Sequence, residues 1–358
     1  MNMDIRIEHL YKKYRDKTAL SDINLTLPAG SFTAILGPSG CGKTTLMRCL
    51  AGFLQVDAGT IRFGDRDVTH LPPQNRQTAM VFQNYALWPH MSVYDNIAYG
   101  LKLKKLDKKE IEKKVYAILE KVELDTTDVK KRRPTEYSGG QQQRIALARA
   151  LVLEPKLLLM DEPLSNLDAK VRQRLRVEIR SLQKELGITA IYVTHDQDEA
   201  LSMADQVVLM KDGRIEQVGE PEQLYYGPQS YFVSHFLGNS NTLKVESKNG
   251  KIFVGSQTID LPPEAFRARR GDGRYLLVVR SEDAVLATEP AGTPEFVSLR
   301  GVLRESLFVG SGYRHWVQIE GQNLFVHSDD RRMDKGDVYV RMPVSRCFVF
   351  PENGGPEE

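Results

Sequence analysis

The chain has 358 residues, with 49 basic against 47 acidic side chains and 41% hydrophobic content, a length that favours two domains over one. This near-neutral balance gives no whole-chain electrostatic reason to bind nucleic acid or an anionic membrane surface. Its three cysteines, 41, 49 and 347, have no metal-ligand spacing, the first residues do not read as a signal peptide, and no apolar run approaches the roughly 18 residues that span a bilayer, so a reducing, cytoplasmic setting is expected.

From the start, Ile5, Ile7 and His9, then Ile23, Leu25 and Leu27, alternate as antiparallel strands. Between them Tyr11-Lys12-Lys13-Tyr14 offers an aromatic face for a purine, or simply an exposed hairpin. Phe32-Thr33-Ala34-Ile35-Leu36 predicts a buried strand and Leu46-Met47-Arg48-Cys49-Leu50-Ala51 a helix. They flank Gly37-Pro38-Ser39-Gly40-Cys41-Gly42-Lys43-Thr44-Thr45, which fills the pattern G-x-x-x-x-G-K-[ST] in the order strand, loop, helix. Glycines let the backbone curl so that N–H groups at a helix N-terminus face phosphate oxygens. Lys43 is then expected to neutralise the β/γ-phosphates and the Thr44 hydroxyl to join Mg2+. A glycine-rich turn with a chance lysine is the plainer alternative, and the strand-loop-helix context argues against it. The same N–H groups are expected to favour the Cys41 thiolate.

Residues 60–82 read as further strands broken by Gly64-Asp65 and Leu71-Pro72-Pro73, ending in a buried strand tipped by Gln83. Seven lysines lie in residues 102–114, but Ile111, Val115, Ile118, Leu119 and Val122 recur at helical spacing, so the lysines are the solvated face of an amphipathic helix. Lys130-Lys131-Arg132-Arg133 reads as a surface loop. Ser138-Gly139-Gly140-Gln141 opens a helix over 142–151, and residues 156–162 form a strand apolar on both faces. Asp161 and Glu162 stand at its C-terminal end, where open α/β sheets bind ligands. Val171, Leu175, Ile179, Leu182 and Leu186 mark another amphipathic helix, stopped by Gly187, and residues 190–194 a strand tipped by His195. Strands alternating with helices predict a mostly parallel sheet. After residue 238 short strands follow one another without helical pattern, which predicts a small β-barrel, and residues 351–358 read as a disordered tail.

A nucleotide-hydrolysing site needs a phosphate cradle, a metal and a positioned water. Asp161 suits Mg2+, held through water. Glu162 suits the general base, His195 the γ-phosphate and the attacking water, and Gln83 both metal and water. Taken singly, each has a structural explanation; their occurrence together and in this order argues for the site.

With these residues in place, the chain resembles the nucleotide-binding subunits of ABC transporters over residues 3–235. The phosphate loop, Gln83, Ser138-Gly139-Gly140-Gln141, Asp161-Glu162, Ser165-Asn166-Leu167-Asp168 and His195 come in the family's order. Tyr137 stands where the family usually has leucine, and a packing change is expected there. The resemblance implies an α/β P-loop ATPase domain over 1–238, mostly parallel sheet with an antiparallel β subdomain and a helical subdomain. It also implies a small all-β, OB-like (TOBE-like) regulatory or dimerisation barrel over 239–350, then the tail. It implies an ATPase using ATP and Mg2+, Tyr14 as the adenine-stacking aromatic, and a head-to-tail homodimer. In that dimer Ser138, Gly139, Gly140, Gln141 and Asp168 help to complete the partner's site. A physical reason supports this: a helix N-terminus presents a second positive surface to the γ-phosphate.

The segments 279–283, 301–305 and 308–310 look like the barrel of importer ATPases of the maltose, polyamine and ferric-iron types, with Ser281 where proline is common. Residues 82–91 are also typical of these, and their aromatic and apolar side chains suit a groove for a short helix of a membrane permease, core packing being the alternative. Permease subunits, and indirectly an extracytoplasmic solute-binding protein, are the implied partners, at the cytoplasmic face of the membrane. Solute recognition is implied to lie on those other subunits. Two rivals fit less well. A non-transport ABC ATPase acting on nucleic acid or ribosomes would carry a long coiled-coil insertion or a second cassette. An oligonucleotide-binding barrel would use Arg267, Arg269 and Arg270, but these lie beside Gly271 and Asp272 rather than among aromatics, so no nucleic-acid partner is expected.

Overall fold

The computed structural model describes residues 3–15, 17–268, 271–330 and 335–352. Arg269, Arg270 and the tail residues 353–358 lie outside the described residues. The chain forms two compact units, Met1–Pro221 and Glu222–Glu358.

The first unit opens with β1 (Ile5–Tyr14) and β2 (Lys17–Leu27), an antiparallel pair. Ile5 and Ile7 point inward as the alternation predicts, but His9 does not. It adopts φ 47° at a register shift, and Leu10 takes the buried place. β3 (Phe32–Leu36) and α1 (Lys43–Ala51) follow, then β4 (Ala58–Phe63), the short β5 (Arg66–Asp67) and β6 (Thr78–Val81). Next come α2 (Val93–Leu103), α3 (Lys108–Lys121), α4 (Gly139–Leu151), β7 (Leu157–Asp161), α5 (Ala169–Leu186), β8 (Thr189–Val193), α6 (Gln197–Met203), β9 (Gln206–Lys211) and β10 (Arg214–Gly219).

Two sheets result. One is four-stranded and antiparallel, in the order β2-β1-β4-β5; the other is six-stranded, β10-β9-β3-β8-β7-β6, with only β10 antiparallel. β7 shows why its sequence is apolar throughout. Leu157 and Leu159 pack with α1 and the small sheet, while Leu158 and Met160 pack with the helices α2 to α5. In α3, Ile111, Val115, Ile118 and Leu119 are buried and the lysines lie outside. The basic run after it is paired locally: Lys130 with Glu112 at 2.5 Å, Lys131 with Asp128 at 3.6 Å and Arg132 with Glu136 at 3.9 Å. Tyr137 is buried, its ring 4.0 Å below the Arg132 guanidinium.

The second unit carries most of α7 (Pro221–Tyr226) and all of α8 (Tyr231–Phe236). Its strands are β11 (Ser240–Lys248), β12 (Lys251–Val254), β13 (Gln257–Ile259), β14 (Gly273–Arg280), β15 (Val285–Ala287), β16 (Phe296–Phe308), β17 (Tyr313–Ile319), β18 (Gln322–Ser328), β19 (Gly336–Pro343) and β20 (Phe348–Pro351). They form two five-stranded antiparallel sheets, β13-β12-β11-β14-β20 and β15-β19-β16-β17-β18, whose inner faces share one core. Within this second unit Arg280, buried on β14, gathers the carbonyls of Tyr225, Ser234 and Leu237, which ties α7 and α8 to the strands.

Candidate functional site

The C-terminal ends of the parallel strands converge on one place. β3 ends in the loop 37–42, and its three glycines are there for backbone reasons. Gly40 has φ 80° and Gly42 φ 109°, the left-handed region, and a Cβ at Gly37 would stand 2.2 Å from the Met210 carbonyl oxygen. Five helices, α2 to α6, begin with a serine or aspartate whose side chain accepts a first-turn N–H. α1 begins with Gly42 and has no side-chain cap and no acid in its first turn. Its N-terminus therefore keeps its positive end for an anion. Lys43 is buried, and its ammonium donates to the Gly37 and Pro38 carbonyls at 2.6 and 3.0 Å, inside the curl of the loop. Pro38, Ser39 and Gly40 form the exposed crest, and Thr45 is half-buried behind it. Cys41 corrects the expectation of a thiolate. It is buried, and the cost of desolvating the charge raises the thiol above its ordinary value despite Lys43 nearby.

Beside the loop, the Thr44 hydroxyl lies 3.3 Å from Asp161 Oδ1 at the end of β7. Burial raises the Asp161 carboxyl, and the Thr44 hydrogen bond opposes the shift in part. Glu162 follows with φ 45°, its N–H held by the Val193 carbonyl at 3.0 Å. This left-handed step, sparsely populated for glutamate, is where strain is commonly kept for function. The Glu162 carboxylate, 24% exposed, lies 3.3 Å from His195 Nδ1 and 3.5 Å from Gln83 Nε2. Gln83 also reaches Ser165 Oγ at 3.2 Å. Thus Lys43, Thr44, Asp161, Glu162, Gln83 and His195 are placed together at this end of the sheet. The loop bearing His195 is braced from behind: Glu199 accepts from Tyr192 and Thr194 at 2.9 and 2.7 Å, and Asp196 pairs with Arg176 at 2.8 Å.

The other predicted residues form a second group. Ser138 caps α4 and exchanges hydrogen bonds with Gln141, and both are exposed. A Cβ at Gly139 would stand 2.9 Å from Leu167 Cδ2, and one at Gly140 3.0 Å from Val171 Cγ1, so these glycines let α4 start close against the start of α5. Asp168 caps α5 through Val171 N–H at 3.0 Å. Tyr14 ends β1, its ring 45% exposed, with Lys12 Nζ 5.8 Å from the ring centre.

Three residues escaped sequence reasoning. Gly213, in the turn between β9 and β10, bonds both the phosphate loop and β2. Arg76, buried, donates to the Cys49 and Leu50 carbonyls at the end of α1 and to those of Leu71 and Thr69. Arg149, in the last turn of α4, donates to the Tyr85 and Ala86 carbonyls at 2.8 and 2.7 Å and lies 5.1 Å from the Trp88 ring centre. Tyr85 and Ala86 have φ 61° and 49°. Strain of about 1–3 kcal/mol per residue is offset by hydrogen bonds from a charged donor worth about 1.5–3 kcal/mol each. The only signal for any of them is an isolated arginine or glycine, which nothing in a single sequence distinguishes.

The sequence pattern described as ABC transporter matches residues 20–165. The chain is 37% identical to the Fe(3+) ions import ATP-binding protein FbpC of Fusobacterium nucleatum, covering 99% of this chain and 95% of that one. It is 44% identical to the spermidine/putrescine import ATP-binding protein PotA of Bacteroides thetaiotaomicron, over 90% of this chain and 68% of that one. Among solved structures it is similar to cbiO1 of Clostridium perfringens, part of the ABC transporter complex cbiONQ, with a TM-score of 0.58 and 33% identity, covering 63% of this chain and 91% of that one.

Proposed function

The chain belongs to the ABC transporter family, and from that premise we propose that it is the ATP-hydrolysing subunit that powers solute import through a membrane permease. The carrying observation is the meeting of Lys43, Thr44, Asp161, Glu162, Gln83 and His195 beside the uncapped start of α1. Similarity over nearly the whole chain to import ATP-binding proteins favours transport over an activity on nucleic acid or ribosomes.

The phosphates of ATP lie against the N–H groups of residues 39–45 and against Lys43, with Tyr14 on the adenine. Thr44 and Asp161 present adjacent hard oxygens, and a carboxylate that burial destabilises as an anion fits Mg2+. A magnesium ion held by Thr44 and Asp161 would supply positive charge against the phosphates. Water attacks the γ-phosphorus as the bond to the ADP oxygen breaks, and Glu162 takes the water's proton. His195 holds the γ-phosphate in line, and Gln83 orients the water.

Ser138, Gly139, Gly140, Gln141 and Asp168 sit apart from this chain's own cradle. The exposure of Ser138, Gly139, Gln141 and Asp168 supports a head-to-tail pair of copies with two ATP molecules between them, each copy completing the other's site. Trp88, its ring centre 4.6 Å from that of the exposed Tyr99, and the exposed Phe53 against Phe82 support permease docking along residues 83–91. Among the described residues no helix is long and apolar enough to cross a membrane, which suits a peripheral subunit at the cytoplasmic face. The solute-binding protein then acts on it only through the permease. The second unit serves regulation or dimerisation. Replacing Glu162 with Gln tests the reading: ATP binding and an ATP-dependent dimer persist, while turnover falls by about 100-fold or more. Unchanged turnover overturns the assignment of the base.

A further inference from the structure

The loop from Gln83 to Trp88 is fastened at three points. Asn166 Nδ2 holds the Gln83 carbonyl at 3.0 Å, and Asn96 holds the backbone of Trp88 through its N–H at 2.9 Å and its carbonyl at 3.0 Å. Between them, Arg149 of α4 donates to the carbonyls of Tyr85 and Ala86, the two residues that carry the left-handed backbone. We infer that Arg149 is a positioning residue that ties the Gln83–Trp88 loop, at Tyr85 and Ala86, to the helix beginning at Ser138, so that the placement of Gln83 and Trp88 depends on that helix.

The chemistry selects arginine. A planar guanidinium can donate to two consecutive carbonyls at once and still lay its face toward an indole, whereas a lysine ammonium is a point charge without that fork. Arg149 is half-buried, and the carbonyls of Tyr85 and Ala86 offset part of what its guanidinium loses to desolvation. The guanidinium thus braces the two residues that carry the left-handed backbone. Gln83 meets Glu162 and Ser165 at one end of the loop, and Trp88 meets Tyr99 of α2 at the other. A shift of α4 therefore reaches the catalytic glutamine through this clamp. The kinetic consequence rests on the ATPase reading above.

The chain has two tryptophans, so Trp316→Phe leaves Trp88 as the sole reporter. In that background Arg149→Met and Arg149→Lys are compared with the parent by acrylamide quenching and by steady-state ATP hydrolysis, with the thermal midpoint recorded for each. Quenching of Trp88 is expected to rise about twofold and kcat to fall about tenfold while KM for ATP stays near the parent's, the pattern of a misplaced group rather than a lost binding contact. If Arg149→Met does not fold, Arg149→Lys, which keeps the charge and loses the fork, carries the comparison. A folded Arg149→Lys with the parent's kcat and quenching overturns the inference, as does a loss confined to KM. A parent that binds no ATP would instead sink the ATPase reading, and the quenching comparison would still decide whether Arg149 holds the loop.

Discussion

Gly213 donates its backbone N–H to the Cys41 carbonyl at 3.0 Å, and its own carbonyl accepts from the Ser21 N–H at 2.8 Å. The turn between β9 and β10 thus stitches the phosphate loop to the hairpin that ends in Tyr14. Gly213 has φ 78°, and a Cβ there would lie 2.8 Å from the Ala19 carbonyl oxygen. Gly213→Ala should therefore cost about 1–3 kcal/mol and weaken ATP binding. Urea denaturation with a nucleotide titration checks this. Full affinity in a destabilised variant would mean that the strain stays in the turn and does not reach the loop.

Arg76 closes the other end of α1. Its guanidinium meets four carbonyls, two of them among the last carbonyls of the helix, which have no partner within it. Arg76→Met keeps much of the packing and removes the donors, so it should lower stability by about 2–4 kcal/mol. Chemical denaturation reads this directly, and a loss below about 0.5 kcal/mol would show that water takes the place of the guanidinium.

The first unit was legible wherever a motif and a periodicity coincided. The loop 37–45, the acids ending β7 and His195 ending β8 all sit where a strand pattern runs into a polar residue. Bonds from side chains to distant backbone were not legible. Arg149 and Arg76 act on carbonyls 63 and 27 positions away, and a carbonyl has no signature in sequence. His9 was misplaced for a related reason: a bulge between Ile7 and Leu10 reverses the alternation beyond it, and the close approach of Gly59 to the His9 carbonyl there involves another strand. The Cys41 thiol was misjudged because proximity to N–H groups can be read from the motif but burial cannot.

Burial, not the phosphate loop, governs all three thiols. Desolvation raises Cys41, pushes Cys49 up to about 11 and Cys347 up to about 12. A raised pKa leaves less thiolate at neutral pH, so the folded chain should react with iodoacetamide more slowly than a free cysteine peptide at pH 7.5. The linkage has the same sign. The unfolded chain ionises first, from the ordinary value of 9.0, so this contribution is intact below that pH and is lost as pH rises toward 11. Cys49→Ala should show a shallower decline in urea stability over that window. Rapid alkylation of the native chain at pH 7.5 would contradict both statements.

The boundary between the two units gives the last prediction. Arg280 is buried on β14, and four of its hydrogen bonds go to the carbonyls of Tyr225, Ser234 and Leu237 and to the Ser240 hydroxyl. Its guanidinium also lies 3.9 Å from the Tyr225 ring centre. Three of those four acceptors precede residue 239, within or just after α7 and α8. Cutting the chain at 238, where the texture of the sequence changes, would leave a buried cation with one of these four acceptors, and stranding a buried charge costs about 3–5 kcal/mol. A fragment of residues 222–352 should therefore fold cooperatively, while 239–352 should be far less stable or unfolded. Arg280→Met should narrow the gap between them, since it removes the charge that needs the helices. Residues 1–221 hold every residue of the phosphate cradle and should bind ATP without the second unit. Circular dichroism melts of the two C-terminal fragments, with and without Arg280→Met, decide the matter: equal stability would place the boundary at 238 and make α7 and α8 a linker rather than part of the β unit.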